Sequence, residues 1–527
     1  MKNIFRIAAI ALASLLCSCL DSELDLPIYT DQTEDNFYRN TDELSSALTG
    51  VYYEQRRIWS DLNLYYRTIM EIPTDNAVKG GYDDSDHTEV LQLELFTLDA
   101  NNSAAAELYT VCQRIITAAN ILIKNSARTE GDSSLINRMV LEAKYLRAFA
   151  FFNLATYYGG MAKILAPLSS PKDYLKYPRL TQDETFDFII EDLEAATALP
   201  KKSEYDKKDM GRVTQGAAYA LLAKIHMFRE DWGAAKQALD AIVTSGEYDL
   251  HPSFGYNFSA AHDNGCESVY EVQYRSYGTT WELSTGLSII WFVSRKNEGG
   301  YGFCCPTQDL RNTFTSDDPR IAYTFIETGD KFTGDDYSQD NTASPTGYHD
   351  RKIFVPRNDP ARLSAGTATE TDVAKNFTYI RYADVLLMYA EVLNELQTTS
   401  PDGNNANYYL NRVRQRARQT PPKDPAREVQ KTIPTTTSAS LPDITVVDKV
   451  QLRNAIFAER RRELALEGWR RWDLIRTHTY GATMRNYSST YNSNKGKFFR
   501  DDRDYLLPIH TSEIDKSHSV WKNNPNF

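Results

Sequence analysis

RVTQGAAYALLAKIHMFREDWGAAKQALDAIVTSGEYDL, residues 212–250, is the clearest helical hairpin of the chain. Its apolar residues recur at helical spacing on both sides of an Arg229-Glu230-Asp231 break, which predicts a pair of antiparallel helices. Ala223 and Ala235 stand twelve apart across that turn, and side chains this small let the two helices approach closely. The spacing is that of tetratricopeptide-type repeats, in which each helix pair leaves an apolar edge that a neighbouring pair must cover. The expectation is a mostly α chain: several degenerate helix pairs stacked into a tetratricopeptide-like helical-repeat scaffold.

Working outward from that hairpin, helical periodicity dominates the chain and breaks where Pro, Gly, Asn and Asp cluster. Upstream, 41–58 opens with Thr41 as candidate N-cap, 104–125 and 135–158 repeat the pattern, and 181–199 starts with a Thr181-to-Glu184 capping box and stops at Pro200. Downstream, residues 251–375 are rich in Gly, Asp, Ser, Thr and Tyr and carry only short apolar runs such as ESVYEVQY (267–274), which predicts a loop-rich insertion with short strands. Helices are expected again at 379–397, 404–418 and 449–476, with a Pro- and Thr-rich stretch at 420–447 between the last two. The organisation read from this is a signal peptide (1–18), an N-terminal helical region (19–250), the insertion (251–375) and a C-terminal helical region (376–527).

The N-terminus has Lys2 and Arg6, then an apolar run from Ile7 to Leu16, and then Ser18-Cys19 followed by Asp21, Glu23 and Asp25. The run is too short to cross a hydrocarbon core of about 30 Å. With Ser18 at the cleavage position and Leu16 three before the cysteine, it reads as a lipoprotein export signal with Cys19 as the acylated residue. An ordinary secretory peptide cleaved near Ser18 is the alternative, and either one takes the protein out of the cytoplasm. Acyl chains contribute about 0.8 kcal/mol per buried methylene, so two or more anchor a soluble body stably. Loss of the signal leaves 57 basic and 71 acidic residues, a charge of -14 that argues against nucleic acid or anionic lipid as the main partner. No other apolar run approaches twenty residues.

Four cysteines remain besides Cys19, too few for a disulfide-framed fold of 527 residues. Cys112 lies in a helical pattern and reads as a small buried hydrophobe. The adjacent Cys304 and Cys305 read either as a strained vicinal disulfide or as two free thiols. No Cys or His pairs stand at zinc spacing, and no HExxH, GxSxG or phosphate-cradling Gly loop occurs, so neither a metal site, a cofactor nor an enzyme is expected. Asp83, Asp84 and Asp86, or Asp330, Asp335 and Asp336, are alternatives for a calcium ion, against the plainer reading of solvated acidic loops.

Two segments carry a resemblance: NFTYIRYADVLLMYAEVLNEL (376–396) and AIFAERRRELALEGWRRWDLIR (455–476). With EAKYLRAFAFFNLATYYGG (142–160), GRVTQGAAYALLAKIHMFREDW (211–232) and NYYLNRVRQRAR (407–418), they make the chain resemble the SusD/RagB family of outer-membrane nutrient-uptake lipoproteins of Bacteroidetes. The closing segment 502–527 departs from the family pattern, with His510 where the family usually has Pro. In the signature, Glu459, Glu463 and Glu467 recur every four residues beside Arg460, Arg462 and Arg470. A carboxylate cluster for acid–base work is one reading, and a paired ionic network that docks this helix is the favoured one, since buried charges must be paired. Arg381 and Asp384 are read the same way.

The resemblance implies a surface lipoprotein that binds an oligosaccharide, or less often a peptide, and passes it as a lid to a TonB-dependent barrel of the SusC/RagA type. It also implies that Asp21, Glu23 and Asp25 send the lipoprotein to the outer face of the outer membrane. A helical-repeat scaffold that only assembles proteins is the remaining alternative. Sugar rings are recognised by flat aromatic faces flanked by polar groups for the hydroxyls. Loop aromatics and their neighbours are therefore the candidates: Tyr277, Trp281, Trp291 and Tyr301 in the insertion, and Asp75, Asn76 and Tyr82 in the loop after Glu71. Trp469 and Trp472, inside the helical signature, are expected in the core.

Overall fold

The computed structural model describes residues 34, 37–58, 63–276, 286–363, 370–430, 433, 434 and 441–527. The N-terminal half is helical: α1 (Thr41–Arg56), α2 (Asn63–Glu71), α3 (Thr88–Leu95), α4 (Ser103–Ser126), α5 (Ser133–Tyr158), α6 (Gln182–Ala196), α7 (Gln215–Phe228) and α8 (Trp232–Val243), with strand β1 (Ala77–Gly80) between α2 and α3. The middle carries β2 (Ser268–Val272), α9 (Arg295–Glu298), β3 (Phe303–Pro306), α10 (Gln308–Asn312), α11 (Ile321–Thr324), β4 (Phe325–Glu327), β5 (Lys331–Phe332), β6 (Tyr348–Asp350) and α12 (Pro360–Leu363). Then follow β7 (Phe377–Arg381), α13 (Tyr382–Leu396), α14 (Ala406–Gln419), β8 (Arg427–Val429), α15 (Lys449–Glu463), α16 (Arg470–Arg476), α17 (Tyr480–Tyr491) and α18 (Thr511–Lys516).

Short polar side chains start these helices by accepting the unsatisfied N–H groups of the first turn: Asn102 for α4, Asp132 for α5, Thr214 for α7, Asp231 for α8, Asn405 for α14 and Asp448 for α15. Thr181 and Glu184 form the expected capping box on α6. The cap of α1 is Asn40, one residue before the expected Thr41, because the Asn40 amide oxygen reaches the N–H of both Asp42 and Glu43. Helices α4 to α8 pack each on the next, and the stack then skips the insertion and resumes with α8 against α13, α13 against α14, and both against α15. Helix α5 is its axis: from Leu141 to Tyr158 only Lys144 is not buried, so the helix is enclosed on all sides rather than along one stripe, with Glu142 and Arg147 buried among its apolar residues. Ala223 and Ala235 are fully buried where α7 meets α8.

Two helix expectations need correction. Residues 377–381 (FTYIR) are a strand, so the helix expected from 379 starts at Tyr382. Their aromatic and β-branched side chains suit the antiparallel pairing with β2 that closes the root of the insertion, where Ser268 faces Arg381 and Val272 faces Phe377. The helix expected over 449–476 is two helices. The chain turns between them through left-handed backbone at Leu466 (φ +63°) and Gly468 (φ +89°).

The signature glutamates form the ionic network. Glu463 Oε1 accepts from Arg381 Nη1 at 2.6 Å and also from Arg416, and Glu463 Oε2 accepts from Arg320 Nη1 at 3.0 Å. Glu459 takes Arg320 at 2.6 Å and Arg414 at 2.6 Å, and Glu467 takes Arg381 at 2.7 Å. Glu267, at the entry to β2, binds both Arg381 and Arg416, so the network ties the insertion root to α14 and α15. Asp384 does not meet Arg381; it binds Lys224 at 2.6 Å and Arg460 at 2.8 Å. Trp469 and Trp472 lie in the core with the Lys224 ammonium 3.3 Å from the Trp469 ring centre. Cys112, Cys304 and Cys305 are buried free thiols, and burial pushes the last two up to about 12.

Candidate functional site

Strand β1 and strand β3 pair antiparallel, Val78 facing Cys305 and Gly80 facing Phe303, and this ribbon brings the loop after α2 against the insertion. The pairing requires glycine at its end. A Cβ on Gly80 would lie 2.1 Å from the Gly302 carbonyl oxygen, and Gly80 has φ +72°. The N–H of Gly81 donates to the same carbonyl at 3.1 Å.

Beyond the ribbon, four aromatic or cationic side chains converge. Trp291 and Tyr301 stack with ring centres 4.7 Å apart and planes at 27°. They are held opposite each other by two backbone bonds, Tyr301 N–H to the Ile290 carbonyl at 2.9 Å and Phe303 N–H to the Trp291 carbonyl at 2.8 Å. Trp291 rests partly on the core, whereas Tyr301 is 46% exposed. From the β1 side comes Tyr82, 70% exposed, with the Arg295 guanidinium 4.4 Å from its ring centre. Arg295 also donates through Nη1 to the Gly81 carbonyl at 3.4 Å. Its helix α9 is fixed by the buried Glu298, which binds Arg362 at 2.9 Å and accepts from the Tyr337 hydroxyl.

His87 sits edge-on beneath this group, 5.7 Å from the Trp291 ring centre and 5.2 Å from that of Phe303. Its Nδ1 is 2.7 Å from Glu89 Oε1, which also accepts from the Tyr65 hydroxyl at 3.2 Å. Burial and the Glu89 charge push Tyr65 up to about 12, so it stays a neutral donor. Asp86 and Asp83 shape the Tyr82 loop, Asp86 accepting from Tyr82 N–H at 2.9 Å and Asp83 from Ser85 N–H at 2.8 Å. Among the described residues no group of three or more His, Cys, Asp or Glu is placed to hold a metal ion. What this cluster offers chemically is ring faces and edge donors, the means of holding a ring with an apolar face and a polar rim.

Of the expected residues, the structure thus brings Tyr82, Trp291 and Tyr301 together. Tyr277, Trp281 and Cys19 lie outside the described residues. Asp75 and Asn76 are not part of this surface, which corrects their placement. Both are buried: Arg470 donates to the two Asp75 carboxylate oxygens at 2.8 Å each, and Arg461 Nε donates to Asn76 Oδ1 at 3.0 Å. Burial alone would raise the Asp75 carboxyl, but Arg461 and Arg470 outweigh it and hold the group well below the usual carboxylate range. His87 and Arg295 are the members that sequence reasoning missed. Arg295 follows Trp291 by four residues, a signal only once Trp291 itself is placed.

A tetratricopeptide-like helical scaffold that displays an aromatic loop cluster is the class this architecture defines. The chain belongs to the SusD family. The SusD family model matches residues 266–527, and a second model, described as starch-binding associating with outer membrane, matches residues 24–227. A SusD-like protein of Formosa agariphila is 24% identical over 547 residues, covering 99% of each chain, and a SusD-like protein of Bacteroides ovatus is 25% identical over 98% of this chain and 90% of its own. Among solved structures, a laminarin-binding SusD-like protein superposes with a TM-score of 0.75 at 23% identity, covering 93% of this chain and 100% of its own. The surface glycan-binding protein A of Bacteroides thetaiotaomicron, solved with laminarihexaose, gives 0.72 at 20% identity over 92% of this chain and 99% of its own. These structures share the fold with this protein.

Proposed function

We propose that the protein captures oligosaccharides at the cell surface and delivers them, as a lid, to a TonB-dependent outer-membrane barrel of the SusC/RagA type, with Cys19 as its lipid anchor. The observation that carries the reading is the convergence of Tyr82, Trp291 and Tyr301 from two distant parts of the chain onto one surface, with Arg295 beside them. Ring faces stack on the C–H face of a sugar, and the free edges of Arg295 and the phenol hydroxyls address its hydroxyl groups. Tyr277 and Trp281 belong to the same proposed set. The names of relatives that bind laminarin and laminarihexaose support a glycan over a peptide.

The test uses the chain without residues 1–19, which retains every described residue, against a panel of neutral glycans including laminarihexaose and a panel of peptides. Saturable glycan binding is expected. Trp291→Ala and Tyr301→Ala should each weaken it by about 1.5–3 kcal/mol, the cost of removing a ring face that the sugar covers, or roughly tenfold to a hundredfold in Kd. Glycan binding that survives both substitutions overturns the site, and peptide binding without glycan binding moves the reading to a peptide-capturing lid. Co-purification with a large barrel from the same outer membrane tests delivery.

A further inference from the structure

A cavity of about 470 Å³ opens between α15, α16 and α17, away from the aromatic cluster. It lies toward the Asp75–Asn76 end of β1, whereas Tyr82 lies at the other, so a strand of four residues, about 13 Å, stands between the two regions. Its lining includes Phe457, Arg461, Arg462, Arg470, Asp473 and Thr483.

The cavity is notable for what its charged groups have left to bond. Asp473, its one carboxylate, is already engaged: Oδ1 accepts from Arg460 and Arg476, and Oδ2 accepts from Arg460 at 3.0 Å. The three lining arginines are only partly engaged. Arg461 donates Nε to Asn76 and Nη2 to Asp309 and the Asp75 carbonyl. Arg470 donates Nε and Nη2 to Asp75, and Arg462 donates Nη2 to Glu459 and Nη1 to the Thr313 carbonyl. The bonds of Arg461 and Arg470 run through Nε and Nη2 and leave Nη1 of each free of any described acceptor, whereas the Nε of Arg462 is buried without a partner. Three guanidinium groups thus line a cavity in a protein whose formal charge is -12, each held in place by its bonds, with a terminal Nη1 to spare on Arg461 and on Arg470. Such pre-fixed forks are how proteins bind carboxylate and sulfate groups.

We infer that this cavity is a second binding site, one that takes a small oxyanion: a carboxylate or sulfate group, free or carried on a sugar, with Phe457 as the apolar wall and the three arginines as donors. It is independent of the proposed aromatic glycan site.

Isothermal titration of the chain without residues 1–19 tests it, with inorganic sulfate, glucuronic acid and glucose as probes at matched ionic strength. Saturable one-to-one binding of sulfate, glucuronate or both is expected, with none for glucose at this site. Tighter binding of glucuronate identifies a sugar-borne carboxylate as the ligand, and tighter binding of sulfate a free anion. Ala458→Glu places a negative charge at the exposed mouth of the cavity without removing any bond, and it should weaken anion binding at least about tenfold while leaving laminarihexaose binding as it was. Arg462→Gln should weaken it as much. No saturation by either anion up to about 50 mM, or anion binding that Ala458→Glu leaves unchanged, overturns the proposal.

Discussion

Glu463→Gln tests how far the signature network stabilises the fold. The carboxylate is fully buried and meets Arg381, Arg416 and Arg320. Burial pushes its pKa up, but the three guanidinium charges outweigh that and hold it at about 2, against 4.5 for an ordinary glutamate. At about 1.36 kcal/mol for each unit of pKa, the ionised form contributes on the order of 3 kcal/mol to folding at pH 7. The sign follows from the depressed value. The contribution is whole above pH 4.5, where the unfolded glutamate is also ionised, and it is lost as pH falls through 4.5 toward 2, where the unfolded chain takes up the proton first. Substitution by glutamine also leaves three buried guanidinium groups short of one charge, and breaking a buried pair costs about 3–5 kcal/mol. Urea denaturation of wild type and Glu463→Gln at pH 7, 5 and 3 is the assay. The expected gap is at least about 3 kcal/mol at pH 7, much the same at pH 5 and clearly smaller at pH 3. A gap under about 1 kcal/mol at pH 7, the size of a surface ion pair, or one that does not shrink at pH 3, refutes the argument.

Three further outcomes are expected. Gly80→Ala should destabilise the protein by about 1–3 kcal/mol and abolish glycan binding, because its Cβ would strike the Gly302 carbonyl and its φ is positive; unchanged denaturation and titration curves would count against the ribbon as the frame of the site. His349 is buried and burial holds it at about 4 against 6.5, so stability should fall as pH drops from 6.5 toward 4 and His349→Leu should flatten that limb of the urea midpoint against pH; an identical limb in the variant refutes it. Cys19→Ala should release the protein into the soluble fraction, and retention with outer membranes would make the barrel rather than the lipid its main anchor.

The helical scaffold was legible because its signals are local: 3.6-residue periodicity, small residues at the α7–α8 contact and a capping box at Thr181 each lie within about a dozen residues. The boundaries that failed depended on distant partners. Residues 379–381 read as helix until β2, more than a hundred residues earlier, supplies their ladder. Loop aromatics were legible as a type, and Tyr82, Trp291 and Tyr301 were named from composition without any sign that the fold would bring them near one another. Nothing local separated Tyr82 from Asp75 and Asn76 in the same loop. What distinguishes them is the pair of arginines, Arg461 and Arg470, that reach Asp75 from nearly four hundred residues away. His87 and Arg295 were illegible for the same reason, since each takes its place from a partner in another segment.

The β1–β3 ribbon also has a consequence for how the protein comes into being. Ala77 pairs with Pro306, so β1 stays without its partner until more than two hundred further residues have emerged. A strand of four residues is a poor template for mispairing in that interval, which makes its brevity protective. The aromatic surface is therefore assembled only by a chain that has already delivered β3, ending at Pro306. A fragment carrying only residues 251–375 would bring Trp291, Arg295 and Tyr301 but neither Tyr82 nor His87, and a chain cut short before residue 291 would bring Tyr82 with none of the three to face it.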